Sequence, residues 1–192
     1  MPKKPANIDQ KLARAILNMP QEEKDKLLLR LLRKEPLLVE KMRNEFFSSQ
    51  ADIEEARAAL KHEIETRFSD ERYASYHHSP GLAMMEMRDF AGYVTRHAKI
   101  TRDKSGEIEL LLSLIDAPLR YLQPMLTADQ SRADSFAKYC CRKMQVALEK
   151  LGKLKPAEQA AFRPQVNECL RLLRAYPPTA GLMAKYGLSD FG

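Results

Sequence analysis

Apolar residues recur every three or four positions along most of the chain, which is the spacing of one face of an α-helix. No run shows a convincing period-two alternation of the kind that marks a half-buried β-strand. Capping and proline signals divide the pattern into about eight or nine helices, joined mostly by short loops. The predicted helix starts include Asn7 with Gln10, Pro20, Pro36, Ser49 or Gln50, Ser79 with Pro80, Thr127 with Gln130, and Pro156. The sequence therefore predicts an all-α protein.

The same spacing predicts which side chains form the core. The leucine-rich residues 24–34 are basic, as a membrane-surface helix or a calmodulin target can be, but flanking acids and neighbouring helices favour core packing. We expect Pro118 to kink its helix and Pro164 to break its helix in two. The core positions predicted in three of the helices are Leu27, Leu28, Leu31 and Leu32; Leu82, Met85, Phe90, Tyr93, Val94 and His97; and Ile108, Leu111, Leu112, Ile115, Leu119 and Leu122.

Short connections make successive helices antiparallel neighbours. Such helices either stack as irregular antiparallel pairs, as in HEAT or tetratricopeptide repeats, or close into a compact bundle. The sequence contains no strict repeat, so it does not distinguish a repeat stack from a compact bundle. We expect one domain over residues 1–192, with a helical block over about 7–68, a connector over 69–79 and a second helical block over about 80–188.

The composition is that of a folded protein without a membrane span. The 192 residues are 44% hydrophobic and 30% charged, and a formal net charge of +6 is diluted along the chain. No stretch approaches the roughly 18 consecutive apolar residues of a transmembrane helix, and the opening MPKKPANIDQ lacks the apolar region of a secretory signal. The three cysteines do not make a disulfide framework. We expect no membrane insertion and a cytoplasmic location.

The segment RYASYHHSPG, residues 72–81, places two adjacent histidines close to two tyrosines and two serines. Tyr73, Tyr76, His77 and His78 are candidate ligand-binding residues, because loops between helices often carry function. Adjacent histidines point in different directions, and no Cys-x-x-Cys accompanies them, so no metal and no cofactor is predicted. The competing interpretation is a connector that packs over helix ends.

A basic stripe along the predicted seventh helix is the candidate for nucleic-acid binding. Lysine and arginine side chains on one element can contact a phosphate backbone. Only one aromatic residue, Tyr139, is interleaved to stack on bases, so the signal is weak. The residues of this stripe are Arg132, Lys138, Arg142, Lys143 and Lys150.

The chain has no recognisable catalytic motif. It lacks a Gly-x-Ser-x-Gly elbow, a Walker A loop and a dinucleotide fingerprint. The adjacent Cys140 and Cys141 do not have the spacing of disulfide exchange, and Cys140 fits a small core position. The leading hypothesis is a non-enzymatic helical scaffold or protein-interaction module whose partner is another protein. Nucleic-acid binding, and ligand or metal binding centred on residues 72–81, remain as alternatives, and the oligomeric state is open.

Five helical segments together span most of the chain: residues 19–42, 56–68, 86–97, 162–173 and 180–190. These segments, and the order of the helices, resemble an uncharacterised family of bacterial all-helical proteins, classed as a domain of unknown function. The resemblance implies a helical fold. It brings no reaction, because the segments are packing patterns and none is a catalytic motif.

Overall fold

A computed structural model describes residues 8–74, 79–128 and 132–188. Within these ranges the chain is helical and contains no β-strand, so the predicted all-α class is confirmed. The chain divides into two compact units, residues 1–47 and residues 48–192. The expectation of a single domain stays a prediction.

Residues 8–47 of the N-terminal unit form three helices and bury none of the helical side chains. Asp9 caps the first helix by accepting a hydrogen bond from the backbone N–H of Leu12 at 2.8 Å. The prediction that Leu27, Leu28, Leu31 and Leu32 form a core is wrong, because all four remain partly or largely exposed to solvent. The helices are α1 (Gln10–Asn18), α2 (Gln21–Leu32) and α3 (Pro36–Phe47).

The second unit is a compact helical bundle, which is one of the two predicted architectures. Its long helices enclose one apolar core. One short helical segment follows α4 and another follows α7. After the last long helix come a further short helix and two 3₁₀ turns, at Pro177–Thr179 and Ala184–Tyr186. The helices are α4 (Gln50–Ser69), α5 (Glu71–Ala74), α6 (Pro80–Thr101), α7 (Lys104–Tyr121), α8 (Gln123–Ala128), α9 (Ala133–Leu151), α10 (Pro156–Ala175) and α11 (Ala180–Met183).

Helix α7 is the centre of this bundle. It contacts α4, α6, α9 and α10. The predicted core positions of this helix are all buried, and so are Leu110 and Leu114 on the other sides. A helix that is apolar nearly all round is one that other helices surround.

Helix α6 presents a different face from the one predicted. Leu82, Met85 and Tyr93 are exposed by 42%, 56% and 54%, so their assignment to the core is wrong. The buried face instead follows Ala83, Met87, Phe90 and Val94, which recur at helical spacing.

The internal prolines do not end their helices. Helix α10 continues through Pro164, so the predicted break is wrong. Pro164 is exposed, and solvent can therefore satisfy the backbone carbonyl that its missing N–H leaves without a partner. Helix α7 likewise continues through Pro118, three residues before its end.

Helix starts follow local chemistry at most of the predicted positions. Ser49 caps α4 in a capping box with Asp52, and Ser79 caps α6 ahead of Pro80, both as predicted. Thr127 is not a cap, because it lies within α8 and the next long helix begins at Ala133. Of the connector predicted over 69–79, residues 71–74 are helical.

The turn between α6 and α7 consists of only two residues, and a glycine makes it possible. Arg102 adopts a left-handed conformation at φ 59°, and Asp103 caps α7 by accepting a hydrogen bond from the Gly106 N–H at 2.8 Å. Arg57 of α4 also contacts the Asp103 carboxylate, at 3.3 Å. A Cβ atom at Gly106 would overlap this carboxylate and lie 2.6 Å from Cδ of Arg57. The turn therefore requires a residue without a side chain.

Two glycine substitutions are expected to change stability in opposite directions. Gly106→Ala should lower the free energy of unfolding by about 1–3 kcal/mol, because the added methyl group displaces Asp103 or Arg57. Gly92→Ala should raise it by about 0.5–1 kcal/mol, because Gly92 lies inside α6 with nothing within 4 Å of the added atom. Urea unfolding of the full chain measures both. A Gly106→Ala protein as stable as Gly92→Ala would contradict this packing.

Candidate functional site

The N-terminal unit exposes an unusual number of large apolar side chains. Leu17 is exposed by 73% and Phe47 by 83%, and the rings of Phe46 and Phe47 contact edge to face at 6.3 Å. Exposed apolar side chains that recur along a folded segment indicate an interaction surface. We call this set the N-terminal apolar set: Ile8, Leu12, Leu17, Leu28, Leu29, Leu31, Leu38, Phe46 and Phe47.

Helix α2 carries the middle of this set. Leu28, Leu29 and Leu31 are exposed by 47%, 56% and 50%, whereas Leu27 and Leu32 are half-buried. The helix packs against α3. The three exposed leucines span an arc of about 160° at 100° per residue. This arc is wide enough to receive another helix.

Charged residues flank Leu29 in a regular way. Asp25 lies four residues before Leu29 and Arg33 lies four residues after it, so the three side chains form one ridge along the helix. Both charged residues are exposed. The ridge is acidic towards the start of α2 and basic towards its end.

Most of the loop candidates lie outside the described residues. This is true of Tyr76, His77 and His78. Tyr73 lies in the short helix α5, and its side chain is likewise not described. The assignment of residues 72–81 as a ligand-binding segment stays a prediction.

The predicted basic stripe separates into two sides of α9. Lys138 and Arg142, four residues apart, are both exposed. Lys150 pairs with Glu107 of α7 at 2.8 Å, and Lys143 lies 5.3 Å from the centre of the Tyr139 ring. Arg132 is exposed at the start of α9, in a left-handed conformation. The structure therefore does not align the five cations along one face.

Tyr139 is an anchor between helices. Its hydroxyl donates to the Met87 carbonyl of α6 at 3.3 Å, and Arg88 of α6 approaches its ring at 5.6 Å. Burial raises the pKa of Tyr139 to about 12. The ring of Tyr139, which the nucleic-acid hypothesis requires for base stacking, is therefore occupied by contacts within the protein.

A polar network ties α4 to the start of α7. Arg57 contacts Glu109 as well as Asp103, each at 3.3 Å, and Lys61 donates to Glu109 at 2.8 Å. His97 of α6 lies behind this network, with its Nε2 atom 4.0 Å from Asp103 and only 8% of its side chain exposed. Burial lowers the pKa of His97, against the smaller opposing effect of Asp103. The histidine is therefore neutral at pH 7.

A cleft of about 300 Å³ between α4, α7 and α10 contains further charged groups. Arg120 donates to Asp116 at 2.7 and 2.8 Å and to Glu168 at 2.8 Å. Hydrogen bonds lower the pKa of Glu168 to about 2, and the bond from Arg171 contributes more than the bond from Arg120. Glu168 therefore stays ionised, and the ion pairs of Arg120 with Asp116 and Glu168 make this cleft an ion-pair network.

The three cysteines belong to the core. Cys140, Cys141 and Cys169 are buried and carry free thiols. Burial raises the pKa of each, so each is a thiol at neutral pH. Cys140 is a small core residue, as expected.

The described residues contain neither a membrane-spanning helix nor a cluster of metal-ligating side chains. No helix there is both long and apolar enough to cross a bilayer. Nor do three or more His, Cys, Asp or Glu side chains of residues 8–74, 79–128 and 132–188 converge in a way that could hold a metal ion.

Comparison with protein-family models, with curated proteins and with solved structures gives no match. The resemblance to a bacterial all-helical family of unknown function therefore stays a prediction. Function has to be argued from the geometry of the chain itself.

His97 is expected to make stability depend on pH. In the unfolded chain it titrates near its ordinary pKa of 6.5, whereas its pKa in the folded protein is lower. Below about pH 6.5 the unfolded chain therefore binds a proton that the folded chain does not, and the free energy of unfolding falls. His97→Gln should flatten this decline between pH 7 and pH 5 in urea unfolding. An equally steep decline in the variant would contradict the assignment.

Proposed function

We propose that this protein is a non-enzymatic interaction module that assembles with a second copy of itself through residues 8–47. The observation that carries the proposal is the contrast in burial along the chain. Helices α1 to α3 bury none of their side chains, whereas the described residues from 48 onwards form an extensive apolar core. Function lies with the segment whose apolar side chains are not used for folding.

Such a segment gains stability by covering its apolar side chains. Most helical stability in proteins comes from packing an apolar face, and short helices without it are marginal in water. The helices α1, α2 and α3 have 9, 12 and 12 residues. Removing apolar surface from water contributes about 25 cal/mol per Å². A partner that covers the N-terminal apolar set therefore stabilises both the complex and the helices.

The charge pattern of α2 favours a second copy as this partner. When two α2 helices pack antiparallel about Leu29, Asp25 of each copy faces Arg33 of the other. The same two-fold arrangement sets Leu29 against Leu29, as a symmetric dimer interface requires. A parallel arrangement would set Asp25 against Asp25 and Arg33 against Arg33, and like charges oppose association.

One helix does not supply a whole interface. Stable interfaces bury more than about 1,000 Å² in total, and α2 is only about 18 Å long. The remaining members of the N-terminal apolar set, which are Ile8 before α1 and the residues on α1 and α3, provide further apolar area. A cytoplasmic location forms part of this proposal, because free buried thiols suit a reducing compartment.

Charge reversal on α2 tests the proposal. Sedimentation velocity should show a dimer whose dissociation constant rises by about tenfold or more in Asp25→Arg and in Arg33→Asp, because each places like charges at two symmetric positions. Mixing the two variants should restore association, since both pairs are then oppositely charged in the mixed dimer. The double variant should also associate.

Arg142→Asp is the matched control. It changes the net charge as Arg33→Asp does, but Arg142 is exposed on α9 in the other unit, so association through α2 should persist. A wild-type chain that stays monomeric as its concentration is raised would refute the proposal. Equal weakening by Arg142→Asp and Arg33→Asp, with no recovery on mixing, would refute the antiparallel arrangement.

A further inference from the structure

A second cleft, of about 430 Å³, lies in the bundle formed by residues 48–188. Two connecting segments supply most of its wall: residues 101–105, around the turn between α6 and α7, and residues 153–155, between α9 and α10. Among the described residues, four cationic side chains line the cleft. They are Arg102 and Lys104 from the first segment and Lys153 and Lys155 from the second.

The two carboxylates of this cleft are used within the protein. Asp103 accepts from the Gly106 N–H at 2.8 Å and contacts Arg57 at 3.3 Å. Glu158 accepts from the backbone N–H of Lys155 at 3.0 Å. With four cations and two carboxylates that are already hydrogen-bonded, the cleft has an excess of positive charge.

The positions of two lysines run against local helix stability. Lys104 is the first residue of α7, and Lys155 directly precedes α10. Acidic residues are favoured at helix starts, because the backbone there carries a partial positive charge. The start of α4 lines the same cleft through Gln50 and Ile53. Cations at these positions add to the positive potential of three helix ends, an arrangement suited to an anion.

We propose that this cleft binds the phosphate groups of a small polyphosphorylated ligand. The proposal does not depend on the pairing of α2. A diphosphate carries several negative charges close together, and lysine side chains from two loops can contact it from both sides. The volume lies within the range of small-molecule sites.

The compactness of the cleft favours a small ligand over a nucleic acid. Proteins that bind strands of DNA or RNA contact the phosphate backbone with cationic side chains that extend along a groove. Here the cations come from two short loops that face one cavity. The exposed cations of α9, Lys138 and Arg142, belong to a different surface, since neither lines the cleft.

Calorimetric titration of the full chain with pyrophosphate, and separately with inorganic phosphate, tests the proposal. Pyrophosphate should bind more tightly than phosphate, and Lys104→Gln with Lys155→Gln should weaken it by about tenfold or more. Both lysines are exposed, so the variant should fold. The variant lacks the two cations at the helix starts, where positive charge is unfavourable. Its melting temperature without ligand should therefore equal or exceed that of the wild type.

The matched control is Lys138→Gln with Arg142→Gln, which removes the same number of cations from the exposed surface of α9. This control should bind pyrophosphate within about twofold of the wild type. Absence of pyrophosphate binding, or equal weakening by the two variants, would overturn the proposal. A single-stranded oligonucleotide that binds the wild type more tightly than pyrophosphate and is lost only in the α9 variant would overturn it in favour of nucleic acid.

Discussion

The burial of α7 on nearly all sides is the constraint on which the bundle depends. Four helices have to surround it, since its leucine and isoleucine side chains occupy every face. Each neighbour in turn presents its own apolar face inwards, and charged side chains are left to the rim. Arg57, Lys61 and Lys150 then tie α4 and α9 to acidic residues near the start of α7. The bundle thus satisfies its apolar residues internally.

The N-terminal unit is built on a different principle. Asp9 caps α1, and α2 and α3 are regular helices, but the three helices bury no side chain. Regular local structure without a core is characteristic of segments that complete their packing against a partner. The proposed self-association and the proposed phosphate cleft therefore lie on different units and rest on independent observations.

The sequence allowed the fold class and most helix boundaries to be predicted, because caps and helical spacing are local signals. It did not show which helix lies at the centre. The run around Leu110 and Leu114 is apolar on all faces, which indicates a central helix. The predicted core positions of α7 cover only one stripe and omit these two leucines. The leucines of α2 have the same spacing as core residues, so spacing alone could not reveal that they are exposed. Burial depends on whether a neighbouring helix exists in space, which a linear pattern does not contain.

The candidate sites were the least accessible to sequence analysis. The cleft brings together Lys104 and Lys155, which are far apart in the chain and were not singled out. Their one local signal is a lysine at the start of a helix, where an acid is favoured. The ridge formed by Asp25, Leu29 and Arg33 was visible in principle as a spacing of four, but it became meaningful only once Leu29 was known to be exposed.

The central claim is that the apolar core is confined to the bundle, whereas residues 8–47 gain protection only by association. Hydrogen exchange of the full chain, measured at low and at high protein concentration, tests it most directly. The account predicts that the amides of α7 exchange slowest at both concentrations. It also predicts that the amides of α2 exchange fast in dilute solution and become protected as the concentration rises. Amides of α2 that are as protected as those of α7 in a dilute, monomeric sample would contradict the account.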